Sequence, residues 1–491
     1  MRQAEYQTRR HFLWKCTTGL GAAALASLTG CSWLKSGSEI TTPAAGLVRD
    51  LSKPFLPLEP HFPAKAKSVI FLHMAGAPSQ LELFDYKPAL QKLNGLDCPP
   101  SLLEGKKFAF IKGVPKMLGP QAKFQQYGQS GAWVSHHLPE FSKVVDEVSF
   151  LKAMHTDQFN HAPAQLLMQT GSARLGKPSI GAWATYGLGS ENENLPGFMV
   201  LLSGGKAPDA GKAGYGSGFL PTVYQGVECR QHGEPVLYVG DPAGMSRDLR
   251  QQSIKAINAV NQLHYEEMKD PETISRISQY EMAFKMQVSV PEVMDITKEP
   301  AYIHELYGTQ PGQASFANNC LLARRLVEKG VRFVQLFDWG WDSHGNDPNN
   351  ALDKGFGDLC HAIDKPVAAL LQDLKMRGLL DETLVVWGAE FGRTPMQENR
   401  EGKEMAFKGR DHHTDAFTVW MAGGGIKGGY THGETDEIGY YGINGRTSVY
   451  DLQATILNQL GMNHERLTYA FQGRNFRLTD VHGKVVKEVI A

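Results

Sequence analysis

Leu384-Val385-Val386-Trp387-Gly388-Ala389-Glu390-Phe391-Gly392-Arg393 decides the reading of this chain, because an apolar run stops abruptly in a carboxylate and a guanidinium. A short uncharged run fits a strand buried on both faces, and open α/β sheets place ligands just past the carboxyl ends of such strands. A polar loop follows, then Arg410-Asp411-His412-His413 and a second apolar run, Phe417-Thr418-Val419-Trp420-Met421. Trp341-Asp342-Ser343-His344 stands upstream, after a strand expected over Val331–Phe337. Acid, base and imidazole are thus expected to converge on one sheet edge, the working centre of the chain.

Further strands are expected at Ser68–Leu72, Val144–Met154 and Leu195–Ser203. Helical spacing marks Ala164–Met168, closed by Thr170-Gly171, then Ser315–Glu328 with Arg324 and Arg325 exposed, and Asp353–Arg377 with Leu359, Ile363, Val367, Leu370, Leu371 and Leu374 on one face. Strands alternating with long helices predict a mainly parallel sheet covered on both faces. Between Gly204 and about Pro311 the text turns rich in Gly and Pro, then polar and amphipathic over Ser246–Val288; it reads as an irregular and helical insertion, laid on the core or capping the site. Gly423-Gly424-Gly425-Ile426-Lys427-Gly428-Gly429 lacks the glycine spacing and terminal Lys-Ser/Thr of a phosphate loop and reads as a tight turn.

The N-terminus sets where such a centre works. Arg9-Arg10 precedes a short, weakly apolar stretch from Gly19 to Leu28, too short and too rich in Gly and Ala to stay in a bilayer; it reads as a twin-arginine export signal. Leu28-Thr29-Gly30-Cys31 resembles a lipobox, with Cys31 lipidated as the first mature residue; the competing reading is an ordinary cleaved signal with a chance cysteine. The expectation is residues 1–31 as signal peptide, 32–63 as a flexible spacer and 64–491 as the folded domain, a periplasmic or outer-membrane lipoprotein.

Fifty basic and fifty-one acidic residues leave a net charge of −1, so no global field draws the chain to nucleic acid. Cys98, Cys229, Cys320 and Cys360 are scattered without zinc-type spacing, and spacing alone does not pair them. Mixed carboxylate and imidazole groups instead suit a hydrolytic site for zinc, manganese or iron, with Arg393 or Arg410 holding a phosphate or sulfate oxygen. A purely structural reading competes, with Asp342 capping a turn and Glu390 pairing with Arg393.

Several long ordered runs carry a resemblance: Phe71–Lys87, Trp341–His344, Arg377–Pro395, Gly409–His413, and Tyr450-Asp451-Leu452-Gln453-Ala454-Thr455 through Leu467-Thr468-Tyr469 to Leu478-Thr479-Asp480. Nearly the whole mature chain resembles the domain-of-unknown-function 1501 family, which is placed among alkaline-phosphatase-like and sulfatase-like proteins. The resemblance implies a three-layer α/β sandwich with a mainly parallel central sheet, and one or two divalent metals, zinc or manganese. By that likeness Asp342 and His344 form the first ligand group, Glu390 takes the aspartate position of the second, and His412 or His413 the third. Three departures favour one metal: Phe391 stands where the second group has a histidine, the Asp342-to-His344 spacing is compressed, and the first strand ends in His73-Met74.

In the wider superfamily a serine or threonine nucleophile opens a helix that ends in a glycine turn; counting back from Thr170-Gly171 reaches Asn160-His161 instead. His161 is then expected as a phosphohistidine, a ligand or a general acid and base, with Ser79 as a substitute nucleophile. Cys98-Pro99-Pro100-Ser101 lacks the arginine of a sulfatase signature. Two functions follow from the resemblance: a metal-dependent hydrolase of phosphate or sulfate esters, including those of polysaccharides, or a surface-anchored protein that binds such a ligand without turning it over.

Overall fold

The computed structural model of the protein describes residues 49–50, 53–230, 235–236, 240, 244–400 and 402–491. The twin-arginine pair, Cys31 and the first part of the expected spacer lie outside the described residues. Residues 53–63, also expected in the spacer, lie on the folded body: Leu58 N donates to Leu188 O at 3.0 Å and Phe62 N to Gly461 O at 3.2 Å.

The sheet is built from β1 (Ser68–Ala75), β2 (Val148–His155), β3 (Phe198–Ser203), β4 (Val227–Cys229), β5 (Phe333–Trp339), β6 (Thr383–Gly388), β7 (Phe417–Ala422), β8 (Tyr430–His432) and β9 (Thr447–Ser448). Its order is β8-β2-β7-β6-β1-β5-β3-β4, with β9 also pairing β2. Every neighbouring pair is parallel except those made by β7, which runs antiparallel to both β2 and β6. All eight residues of β1 are buried, as a central strand covered on both faces requires. Ile70, Leu72 and Met74 enter one core, and Val69 and Phe71 the other.

The helices complete three layers. α1 (His161–Thr170), α2 (Ile180–Leu188) and α7 (Val449–Gln459) bring Leu167, Trp183 and Ile456 to the second core, while α5 (Phe316–Glu328) and α6 (Phe356–Met376) bring Leu321 and Leu370 to the first. The expected insertion contains the edge strand β4 as well as two long helices, α3 (Arg247–Met268) and α4 (Pro271–Met294). Met282, Met286, Val290 and Val293 of α4 lie in the first core, so this helix is laid on the body.

Arg324, expected on the surface of α5, is buried. Its guanidinium lies 2.8 Å from Glu299, 2.6 Å from Glu328 and 2.9 Å from Asp373, and a fixed charge tolerates burial only with such partners. The four described cysteines are free, buried thiols. Among the described residues no helix is long and apolar enough to cross a membrane.

Candidate metal centre

Strand register brings the chemistry together. Ala75 pairs with Trp339 and His73 with Gly388, so β1, β5 and β6 end side by side, and the loops after β5 and β6 carry Asp342, His344 and Glu390. Because β7 is antiparallel, the residues before it, including His412, reach this same edge. His161 opens α1 just beyond the end of β2. Two glycines allow the close approach. Gly76 has φ +105°, and a side chain there would lie 2.8 Å from the Asp342 amide nitrogen; one at Gly409 would overlap the His344 carbonyl.

His161, Asp342, His344 and His412 each present one ligand atom, and the four atoms lie within 4.8 Å of one another. Asp342 Oδ1 is 2.8 Å from His344 Nε2, 3.2 Å from His161 Nε2 and 3.4 Å from His412 Nε2. The Nε2 atoms of His344 and His412 are 3.1 Å apart. Each imidazole is aimed by its other nitrogen: His161 Nδ1 donates to Glu390 Oε1 at 2.7 Å, His412 Nδ1 to Phe159 O at 2.5 Å, and His344 Nδ1 to the Glu398 carboxylate. Carboxylate and carbonyl oxygens only accept, so all three Nδ1 atoms carry hydrogen and all three Nε2 lone pairs turn inward when the rings are neutral. Three lone pairs facing one another and a carboxylate oxygen repel, and a cation among them, or a proton on one imidazole, relieves that repulsion. His161 Nε2 is buried without a hydrogen-bond partner, although it lies beside Asp342. This donor set fits a divalent ion of the zinc, manganese or iron type, with backing acceptors of the kind that orient metal-ligating histidines.

The titration of these groups follows their contacts. Burial works against the charged form of His161, but its contacts with Asp342 and Glu390 outweigh burial and raise it to about 9. Burial lowers His412 to about 4, with Asp342 opposing and the charges of Arg393 and the neighbouring imidazoles adding to the effect. Burial also opposes the charge on Asp342, yet the Arg393 guanidinium and the three imidazoles hold its carboxyl far below the usual range. Burial likewise opposes the charge on Glu390, and the hydrogen bonds from His161 and His73 hold it well below its ordinary value.

Several expected residues occupy other roles. Glu390, expected as a ligand, is fully buried and engaged: Oε1 accepts from Gly76 N at 3.0 Å, Gln165 Nε2 at 3.0 Å and His161 Nδ1, and Oε2 faces His73 Nε2 at 3.1 Å. Its oxygens are occupied, so it aims His161 rather than joining the four ligand atoms. His413 points away from them, to Tyr440 O at 2.5 Å, because successive residues of an extended segment face opposite sides. Arg393, expected to grip an anion, donates to Ala77 O at 2.9 Å, Arg410 O at 3.0 Å, Gly76 O and Asp342 Oδ1, the last at 2.6 Å. Arg410, expected in the same role, places its donors on Glu82 Oε1 and the carbonyls of Leu118, Thr394 and Gly119. Both guanidiniums are buried and directed inward.

Glu398 belongs to the centre without a signal in the sequence. It lies in Met396-Gln397-Glu398-Asn399-Arg400, where a carboxylate in a polar run gives no periodic signal. His344, Glu398 and Asp411 form a second cluster of suitable groups. There Asp411 already accepts from Phe110 N at 2.8 Å, Ile111 N at 2.9 Å and His412 N at 2.8 Å, while Glu398 backs His344 and pairs with Arg400 at 2.7 Å. That engagement favours a single ion at the first cluster.

No curated protein matches the chain. Among solved structures it is similar to PsFucS1 sulfatase from Pseudoalteromonas sp., at 14% identity over 81% of this chain and 68% of that one, with a TM-score of 0.36. It is also similar to the alkaline phosphatase from the Antarctic bacterium TAB5, at 11% identity over 73% and 92% with a TM-score of 0.29. The phosphonate monoester hydrolase SpPMH from Silicibacter pomeroyi matches at 12% identity over 80% and 73%, with a TM-score of 0.32. The family described as Protein of unknown function (DUF1501) matches residues 66–490, and the chain belongs to that family.

Proposed function

We propose that the protein is a metal-dependent hydrolase of phosphate or sulfate esters. The observation that carries this reading is the convergence of three Nε2 atoms and Asp342 Oδ1, each imidazole backed at Nδ1 by an acceptor. A divalent ion there would polarise an ester oxygen and lower the pKa of a water. The remaining work falls to the chain's own residues. Glu390 fixes the tautomer of His161, and Arg393 keeps Asp342 ionised and in place. Phe110 and Phe391 pack against His412, and Trp339 against His161, forming apolar walls that limit water. Asp342 and His161 are the partly exposed members of the group, so an ester approaches from their side.

The test is metal analysis of protein purified without chelator, followed by turnover of phosphate and sulfate ester panels. About one zinc, manganese or iron per chain with ester turnover, both lost in His344→Ala, is expected. Metal without turnover of any ester would replace the hydrolase reading with a non-catalytic anion-binding protein on the same fold.

We extend the proposal to place and substrate source: export by the twin-arginine route, anchoring through lipidated Cys31, and esters borne on polysaccharides. The sequence Arg9-Arg10 and Leu28-Thr29-Gly30-Cys31 supports the first two parts. Loss of radiolabelled fatty acid from a Cys31→Ala variant checks the anchor.

A further inference from the structure

The arginines that sequence pattern offered for anion binding, Arg393 and Arg410, direct their donors into the fold, so charge recognition has to come from elsewhere at this sheet edge. Two other cations stand there, each on an aromatic ring that touches an imidazole of the cluster. Lys206 Nζ lies 3.9 Å from the centre of the Trp339 ring, which packs edge-on against His161 at 5.8 Å. Arg400 Cζ lies 4.2 Å from the centre of the Phe110 ring, which packs edge-on against His344 at 4.9 Å and His412 at 5.6 Å.

Both cations are carried by loops tied to the site. The turn after β3 passes over the end of β5 at Gly204, which has φ +79° and where a side chain would overlap the Trp339 backbone. Further along that loop, Ala210 N donates to Gln165 Oε1 of α1 at 3.0 Å. On the other side, Phe110 N and Ile111 N are bound by Asp411, and Lys112 N donates to Asn399 Oδ1 at 3.0 Å, beside Arg400.

The cations keep capacity for a ligand. Arg400 uses Nε for Glu398 and is 39% exposed, and its Nη atoms have no protein partner among the described residues. Lys206 is 53% exposed and, among the described residues, forms its one ion pair with Asp209 of its own loop, at 2.8 Å, a surface pair that a ligand anion readily replaces. We propose that Lys206 and Arg400 bind a polyanionic ester, one that carries further anionic groups beside the group presented to His161, Asp342, His344 and His412. The inference rests on the ester reading above and narrows it: each cation stands one ring beyond an imidazole, so it meets a neighbouring charge along a polymer rather than the reacting group.

The test is calorimetric titration of metal-loaded protein with dextran sulfate, with uncharged dextran as the blank. Wild type is expected to bind dextran sulfate alone. The double variant Lys206→Gln, Arg400→Gln is expected to bind it about tenfold or more weakly, the scale of losing charge-assisted hydrogen bonds, at unchanged metal content and melting temperature. Arg400→Lys, which keeps the charge, is expected to retain most of the affinity. Lys67→Gln with Lys375→Gln, at the opposite sheet edge, is expected to leave binding unchanged. Equal binding by the Lys206 and Arg400 double variant, or an equal loss in the opposite-edge control, overturns the inference. Turnover of small esters by a protein that ignores dextran sulfate removes this inference and leaves the hydrolase reading. Binding through Lys206 and Arg400 with no ester turned over does the reverse.

Discussion

Glu390 Oε1 accepts the Nδ1 hydrogen of His161 at 2.7 Å, a contact that joins the loop after β6 to the first residue of α1. A carboxylate at this position fixes the tautomer that turns Nε2 toward Asp342. Glu390→Gln replaces one acceptor oxygen with an amide donor facing Gly76 N, Gln165, His73 and His161. Metal affinity is expected to fall by about 10- to 100-fold, the usual cost of losing such a backing acceptor, as read by competition with a chromophoric chelator. An unchanged affinity would show that the contact does not prepare a ligand.

Removing metal should cost stability, because an ion held by the three imidazoles and Asp342 binds only the folded chain. Chelator treatment is expected to lower the melting temperature, and returning zinc or manganese to restore it. An ion present at about 100 times its dissociation constant stabilises the folded state by about 2.7 kcal/mol, so a shift of several degrees is expected by calorimetry. The same treatment of His344→Ala should give no shift.

A different part of the fold depends on Arg324. Its partners Glu299 and Asp373 are themselves buried, and Tyr307 OH donates to Asp373 Oδ2 at 3.1 Å. Arg324→Met removes the buried charge that Glu299 and Asp373 share and leaves them only the more exposed Arg325 and Arg377, and the expected loss is about 3–5 kcal/mol in urea denaturation. A loss under 1 kcal/mol would mean that solvent reaches the network.

Acid should weaken the fold through His137. Burial, then the neighbouring His136 and His361 charges, lowers its pKa from 6.5 to about 4. The unfolded chain therefore binds a proton between pH 6.5 and 4 that the folded chain refuses, so this contribution to stability is full above pH 6.5 and lost as pH falls toward 4. The urea midpoint is expected to be lower at pH 4.5 than at pH 7, and the difference to shrink in His137→Gln.

Much of the fold was legible because buried parallel strands require long apolar runs. Ser68–Leu72, Leu195–Ser203, Leu384–Gly388 and Phe417–Met421 lie within or over observed strands, and Asp342, His344 and His412 follow or precede such runs closely. Helical spacing locates the face that carries Arg324 but not what packs on it; the carboxylates that bury it come from Glu299, Glu328 and Asp373. Glu398 is illegible in the sequence for a related reason, since its partner His344 lies 54 residues away.

Local pattern and order along the chain suffice for the strand and helix alternation, the family, and three groups of candidate ligands at strand ends. Tertiary structure alone decided which candidates meet. The antiparallel course of β7 and the alternation along His412-His413 bring one imidazole in and turn the other away. Glu390 became the residue that aims His161, and Arg393 and Arg410 became internal ties, because the acceptors and donors around them come from distant segments. A carboxylate or guanidinium has the same letters in either role; the partners that occupy its oxygens or N–H groups decide what remains for a ligand.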